Sequence, residues 1–286
     1  MKRMQIIVAE HLGMCFGVRD AIREAERLAA EGPLTILGEL VHNPIVSERL
    51  NERGVRAAAL GSVGVAPTRQ VMITAHGAAD AARKAWTDAG YRVADGTCPL
   101  VRHAHEQLRS LVQLGYFPVV VGKPGHVEVQ GLIGDFPAAI VLEENADIAL
   151  LPADELRFGV ISQTTQPLAK VLALVSAIRA ARPAAEVKFC DTVCQPTKNR
   201  QTALQKLLLV CDTIVIVGGH HSNNTRQLVE AARAAGRHAI HVERPDELRA
   251  DWFAGAENVG LTAGTSTLKE TVAAVHARLN AIAAAA

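Results

Sequence analysis

Aromatic side chains are scarce, at 3% of the 286 residues. That scarcity argues against a nucleic-acid surface built on base stacking. Neither sign of charge is in excess: 30 Lys and Arg stand against 29 Asp and Glu, a formal net charge of +1, so no bulk basic field is available for nucleic acid. No stretch approaches the roughly 18–20 apolar residues that span a bilayer, and no membrane partner is expected. The opening MKRMQIIVAEHLG lacks the apolar length of a secretory signal, which predicts a cytoplasmic protein. There is no GxxxxGK[ST] loop and no convincing GxGxxG turn, so a nucleotide is not indicated. C-x2-C pairs, the usual mark of zinc sites rich in cysteine, are absent as well.

What is present is an ordinary globular composition, 49% apolar and 21% charged, in a chain long enough for two or three compact subdomains. Apolar β-rich runs (MQIIVA, LTILG, QVMITA, FPVVVG, FGVIS, DTIVIVG, HAIHV and NVGLTAG) alternate with helical periodicity such as VRDAIREAERLAA and ADAARKAWTDAG. That alternation predicts an α/β fold with largely parallel sheets. The Ala-rich NAIAAAA at the C-terminus reads as a fraying helix end.

The five cysteines, in a reducing compartment, point to metal binding or catalysis rather than disulfides. Aligning Cys15, Cys98 and Cys194 exposes a repeat. Each sits in a short turn before a helical pattern: GMCFGVRDAIREAERL, GTCPLVRHAHEQLRSL and TVCQPTKNRQTALQKL. A strand and a polar, Gly-rich loop with His follow 27, 28 and 27 residues later, at His42, His126 and His221. A second strand in each unit ends in another polar turn: TAHGA with His76, ISQTT with Thr164, LTAGTS with Ser266. Three α/β units are predicted, 1–97, 98–192 and 193–286, in a pseudo-threefold (trefoil) arrangement. Ligands of open α/β sheets bind beyond the carboxyl ends of the strands, which would bring three thiolates and six polar loops to one cavity.

Three thiolates at one point would leave a [4Fe–4S] cluster with one iron lacking a protein ligand. A helix N-terminus favours the thiolate form. The residues alone leave zinc and buried structural cysteine open as readings. Cys190 and Cys211 lack the turn-then-helix context and read as core. The polar loops suit a compact diphosphate held by neutral donors and imidazole: His42 in ELVHNP, His76, His126 in GKPGHVEV, Ser222, Asn223 and Asn224 in GGHHSNNT, and Ser266. Glu128 follows His126 by two residues. On an extended segment the two side chains would face one cavity, where the carboxyl could deliver a proton.

In this order GMCFGV, VHN, TAHG, GTCPLV, GH-x-E-V, SQTT, the Cys194 turn, SNNT and AGTS resemble the 4-hydroxy-3-methylbut-2-enyl diphosphate reductase family, over about Ile6 to Ser266. The resemblance implies a three-lobed fold around a [4Fe–4S] cluster on Cys15, Cys98 and Cys194, expected to appear as [3Fe–4S] after air exposure. It implies that His42, His76, His126, Ser222, Asn224 and Ser266 hold the diphosphate. Glu128 becomes the proton source, with His126 beside it, and Thr164 orients the substrate hydroxyl or Glu128. Two electrons and two protons would expel water from the allylic diphosphate, giving isopentenyl or dimethylallyl diphosphate, the last step of the methylerythritol phosphate route. A ferredoxin or flavodoxin would supply the electrons. Two positions depart from the common pattern: Val127 stands where many members have Pro, and Asn223 where serine often follows Ser222, which puts the role of Asn223 in doubt. No appended C-terminal domain is expected. The runner-up readings are a dehydrating three-cysteine iron–sulfur enzyme similar to quinolinate synthase, and a cluster-free phosphate-binding α/β protein.

Overall fold

The structure is a computed structural model that describes residues 4–285. The chain runs β1 (Gln5–Val8), α1 (Phe16–Glu31), β2 (Leu34–Leu37), α2 (Pro44–Glu52), β3 (Arg56–Ala58), β4 (Gln70–Ile73), α3 (Asp80–Asp88) and β5 (Arg92–Asp95). It continues through α4 (Pro99–Gln113), β6 (Phe117–Val121), α5 (Val127–Ile133), β7 (Ile140–Leu142), β8 (Arg157–Ser162), α6 (Leu168–Ala181) and β9 (Glu186–Phe189). It ends with α7 (Gln195–Val210), β10 (Thr213–Val217), α8 (Asn223–Ala234), β11 (His238–Val242), β12 (Asn258–Ala263) and α9 (Lys269–Ala285). All strand pairs are parallel, in three four-stranded sheets ordered β3-β2-β4-β5, β7-β6-β8-β9 and β1-β12-β10-β11. The expectation of three α/β units with parallel sheets is met.

Two compact units can be drawn. The first joins Met1–Phe16, His42–Pro44 and Gln195–Ala286; the second joins Gly17–Val41 and Ile45–Cys194. The first holds the β1-β12-β10-β11 sheet. Its inner strand β10 is buried at every residue because helices cover both faces. Val215, Val217, Val259, Leu261, Val275 and Leu279 form the core on one side; Leu204, Leu207, Ile214, Ile216 and Leu228 form it on the other. The helix end that reads from sequence as fraying is packed: Ile282 and Ala283 are buried against the first of these clusters. Their apolar area outweighs the helix's weak terminal hydrogen bonding. Ala286 lies outside the described residues.

The second unit holds the other two sheets. Helix α4 shows why the chain turns where it does. Cys98 is its N-cap and Pro99 opens it, a position where the missing N–H costs nothing. Val101, Ala104, Leu108 and Leu111 then fall on one buried face, at helical spacing, against β6 and β8.

One regularity links all three sheets. Each has two inner strands and, beside the second of them, an edge strand that leads to a cysteine: β5 to Cys98, β9 to Cys194 and β1 to Cys15. Strand β1, in segment 1–97, therefore completes the sheet of segment 193–286, pairing with β12 from Gln5↔Asn258 to Val8↔Leu261.

Candidate active site

Each of the three cysteines is fixed by the same backbone contact. The N–H of Cys98 donates to the carbonyl of Ala75 at 3.0 Å, that of Cys194 to Thr164 at 2.9 Å, and that of Cys15 to Thr265 at 2.9 Å. In every case the acceptor lies in the polar turn that follows a second inner strand. In each case a helix starts at the next residue. All three cysteines are partly exposed.

The residue just before the second helix of each repeat also recurs, at a constant 28 positions after the cysteine: Asn43, His126 and Ser222. The interval to His221 therefore marks a neighbour. His221 is exposed, whereas Ser222 is the N-cap of α8, its Oγ accepting the Thr225 N–H at 3.4 Å.

In the second unit, His76, His126, Glu128 and Thr164 come together. The rings of His76 and His126 meet edge to face with centroids 5.8 Å apart. The segment carrying His126 and Glu128 is not extended, contrary to the sequence expectation. His126 is the N-cap of α5, and its Nδ1 accepts the Glu128 N–H at 3.1 Å. In the neutral ring the proton is therefore on Nε2. The two side chains share a region through capping, not through strand alternation. Glu128 is 2% exposed, and its Oε1 accepts the Thr164 N–H at 2.6 Å. Gly77, in the TAHG turn, has φ +76°, a left-handed conformation that leaves room for Thr97 and His105 beside it. Gly17 closes on Cys98 so tightly that any Cβ there would overlap the sulfur.

In the first unit, His42, Ser222, Asn224 and Ser266 are assembled with two residues that the sequence reading did not single out, Asn43 and Thr265. Ser266 Oγ donates to the His42 carbonyl at 3.0 Å, and Asn43 Nδ2 to the Ser266 carbonyl at 2.6 Å. Gly219 abuts the same His42 carbonyl, 2.7 Å from where a Cβ would stand. Asn224 Oδ1 accepts the Thr265 N–H at 3.1 Å, while its Nδ2 is buried with no hydrogen-bond partner among the described residues. A buried, unsatisfied amide donor at a helix start is costly unless a ligand oxygen meets it. Asn223 is buried too, on the first residue of α8. Asn43 stands in the VHN run, and its place before a helix is the signal that could have found it. The Thr265 contribution is made by its backbone and leaves no mark on the sequence. Buried Arg200 of α7 donates from Nε to the Gly13 carbonyl at 3.1 Å, bracing the turn that carries Cys15.

Cys211 is buried under Gly260, and burial pushes its thiol above the ordinary value. Cys190 packs beside the α4 core, with its N–H on the Val160 carbonyl. Among the described residues no three His, Cys, Asp or Glu side chains converge closely enough to bind one metal ion. A cluster spreads its cysteines over separate irons, so it needs no such convergence on a point. A donor set of three cysteine sulfurs suits it.

A family model described as LytB protein matches residues 6–280. The chain belongs to the LytB family. Among curated LytB-like relatives, the 4-hydroxy-3-methylbut-2-enyl diphosphate reductase of Aquifex aeolicus is 36% identical over 98% of this chain and 97% of its own length. The enzyme of that name from a Geobacter strain is 36% identical over 98% of both. Among solved structures, the E-1-hydroxy-2-methyl-but-2-enyl-4-diphosphate reductase of Plasmodium falciparum superposes with a TM-score of 0.89 at 25% identity, over 98% of this chain and 88% of that one. A second structure, titled (E)-4-hydroxy-3-methyl-but-2-enyl diphosphate reductase, gives 0.69 at 35% identity over 97% and 99%.

Proposed function

We propose that this LytB-family chain is an oxidoreductase that converts 4-hydroxy-3-methylbut-2-enyl diphosphate, two electrons and two protons into water and isopentenyl or dimethylallyl diphosphate. The observation that carries the reading is the threefold repetition of a cysteine held at a helix start by the polar turn after an inner strand. Cys15, Cys98 and Cys194 would hold a [4Fe–4S] cluster. When bound, the cluster would supply the two electrons of the reduction.

The chain's own residues do the rest. His42, Ser222, Asn224 and Ser266, with His76 and His126, hold the diphosphate, and the spare Nδ2 donor of Asn224 serves a phosphate oxygen. Asn223 joins that loop as a backbone donor at the start of α8. Glu128 delivers the proton that lets the hydroxyl leave as water. His126 fixes the start of α5, and Thr164 fixes the carboxyl through its N–H. A small acidic one-electron carrier, a ferredoxin or flavodoxin, is the donor. The protein works in the cytoplasm, and no described helix is long and apolar enough to cross a membrane. The cuts at 97/98 and 192/193 remain our division of the chain into units, with β1 lent to the third.

Anaerobic purification followed by iron and sulfide analysis, and reduction of the substrate by a strong artificial reductant, tests the reading. Cys15→Ser, Cys98→Ser and Cys194→Ser should each lose most iron, while Cys190→Ser and Cys211→Ser keep it. A Cys98→Ser protein with full iron would refute the ligand set. Turnover without added electrons would indicate a dehydratase instead.

A further inference from the structure

Two of the three cysteines are a single residue away from a buried polar side chain of the proposed ligand site. In the first unit, Asn224 Oδ1 accepts the Thr265 N–H, and the Thr265 carbonyl accepts the Cys15 N–H. In the second, Glu128 Oε1 accepts the Thr164 N–H, and the Thr164 carbonyl accepts the Cys194 N–H. Asn224 and Glu128 hold the same position, the second residue of α8 and of α5. Both are deeply buried, with relative exposures of 2% each. The third repeat lacks the device. The N–H of Ala75, whose carbonyl takes Cys98, donates to the Leu40 carbonyl, and the second residue of α2 is the apolar Ile45.

A residue that donates through its own N–H and accepts through its own carbonyl is pinned at both of its flanking peptide groups. Its two flanking peptide planes are each rigid and meet at one Cα, so with both bonds made the φ and ψ of that residue are held and a shift at one end is passed to the other. We infer that Asn224 and Glu128 also act as positioning residues for the cluster ligands. Through the backbones of Thr265 and Thr164 they hold Cys15 and Cys194 in place, so that occupancy of the ligand site tightens the hold on the cluster. This rests on the cluster and diphosphate assignments above. The consequence is directional. An anion taken up by Asn224 Nδ2 orders the side chain whose Oδ1 steadies the Cys15 turn. A substrate-free protein therefore keeps its cluster less firmly than a filled one, and Cys98 is indifferent to the site's state.

The test uses anaerobically prepared protein carrying its cluster and follows iron release to a chelator. Asn224→Ala and Glu128→Ala remove the acceptor for the turn N–H. They should release iron about tenfold or more faster, as loss of an outer partner of a metal ligand commonly weakens metal affinity about 10–100-fold. Asn224→Asp and Glu128→Gln keep an oxygen in that place and should release iron at nearly the wild-type rate. Saturating inorganic diphosphate should slow release several-fold in the wild type but not in Asn224→Asp, whose donor is gone. Ala variants as retentive as the wild type would overturn the inference, as would Asp and Gln variants that leak as fast as the Ala ones. Should an Ala variant fail to fold, by circular dichroism of the cluster-free protein, the wild type decides alone: no effect of bound diphosphate on iron release overturns the proposal. A wild-type protein that binds no iron would instead remove the cluster assignment itself.

Discussion

Replacing Gly17 with alanine should separate the stability of the fold from the ability to hold a cluster. Gly17 is the second residue of α1, where alanine is the better helix former by up to about 1 kcal/mol. Its Cβ position, however, falls inside van der Waals contact of the Cys98 sulfur, with the Cys98 Cβ 3.3 Å away. Atoms of this size rest about 3.5–4.0 Å apart, so the sulfur must retreat by about 1 Å or more. Ligand constellations tolerate displacements of only about 0.5 Å. In the cluster-free protein Cys98 is partly exposed and can swing to another rotamer at modest cost, about 0.5–1.5 kcal/mol at most if it rests off a minimum. The two local terms then nearly cancel, and the melting temperature of cluster-free Gly17→Ala should lie within a few degrees of the wild type. Iron and sulfide per chain after anaerobic reconstitution should fall to a small fraction. Full stoichiometry in Gly17→Ala would show that the sulfur is not required where the structure has it; a large loss of cluster-free stability would show instead that Gly17 serves the fold.

Other outcomes follow from the same geometry. Glu128→Gln should lower turnover about 10²–10⁴-fold, the usual worth of general acid catalysis, with iron content and diphosphate affinity unchanged on the same sample; near-normal turnover would move the proton source elsewhere. His42→Ala and Ser266→Ala should weaken inorganic diphosphate binding roughly tenfold or more in calorimetry, since a hydrogen bond to a charged group is worth about 1.5–3 kcal/mol. Burial holds the His105 and His241 imidazoles below the ordinary value of 6.5. The folded state therefore binds fewer protons than the unfolded one, and stability is full above about pH 6.5 and declines as pH falls below it. The melting temperature of the cluster-free protein should drop between about pH 7.5 and 5.5, and His105→Gln should drop less; an equal drop would free His105 of that role.

Eight of the strands were legible because apolar runs such as DTIVIVG and FPVVVG can be buried only in covered parallel sheets. The unread ones, Arg56–Ala58, Arg92–Asp95, Ile140–Leu142 and Glu186–Phe189, are edge strands of three or four residues. Three of them carry exposed charged side chains, as edges that avoid unwanted pairing do. Their signal is therefore polar and short. The cysteine turns were readable because residue type and spacing repeat together. The placing of Glu128 was not, because it depends on His126 capping a helix only seven residues long, for which no periodicity exists. Thr265 and Ala75 act through backbone atoms, which any residue would supply.

The pairing of β1 with β12 has a consequence for the birth of the protein. Strand β1 leaves the ribosome first, and its only described sheet neighbour follows about 250 residues later. At roughly 5–20 residues per second that is a wait of about 10–50 s. For all of it the first segment, Cys15 included, has no sheet to join, while β2 to β9 can already fold. Assembly of the proposed three-cysteine site would thereby be deferred to the end of synthesis. A truncated chain that stops short of β12 would keep the partners of β2 to β9 but leave β1 unpaired, a distinctive target for quality control.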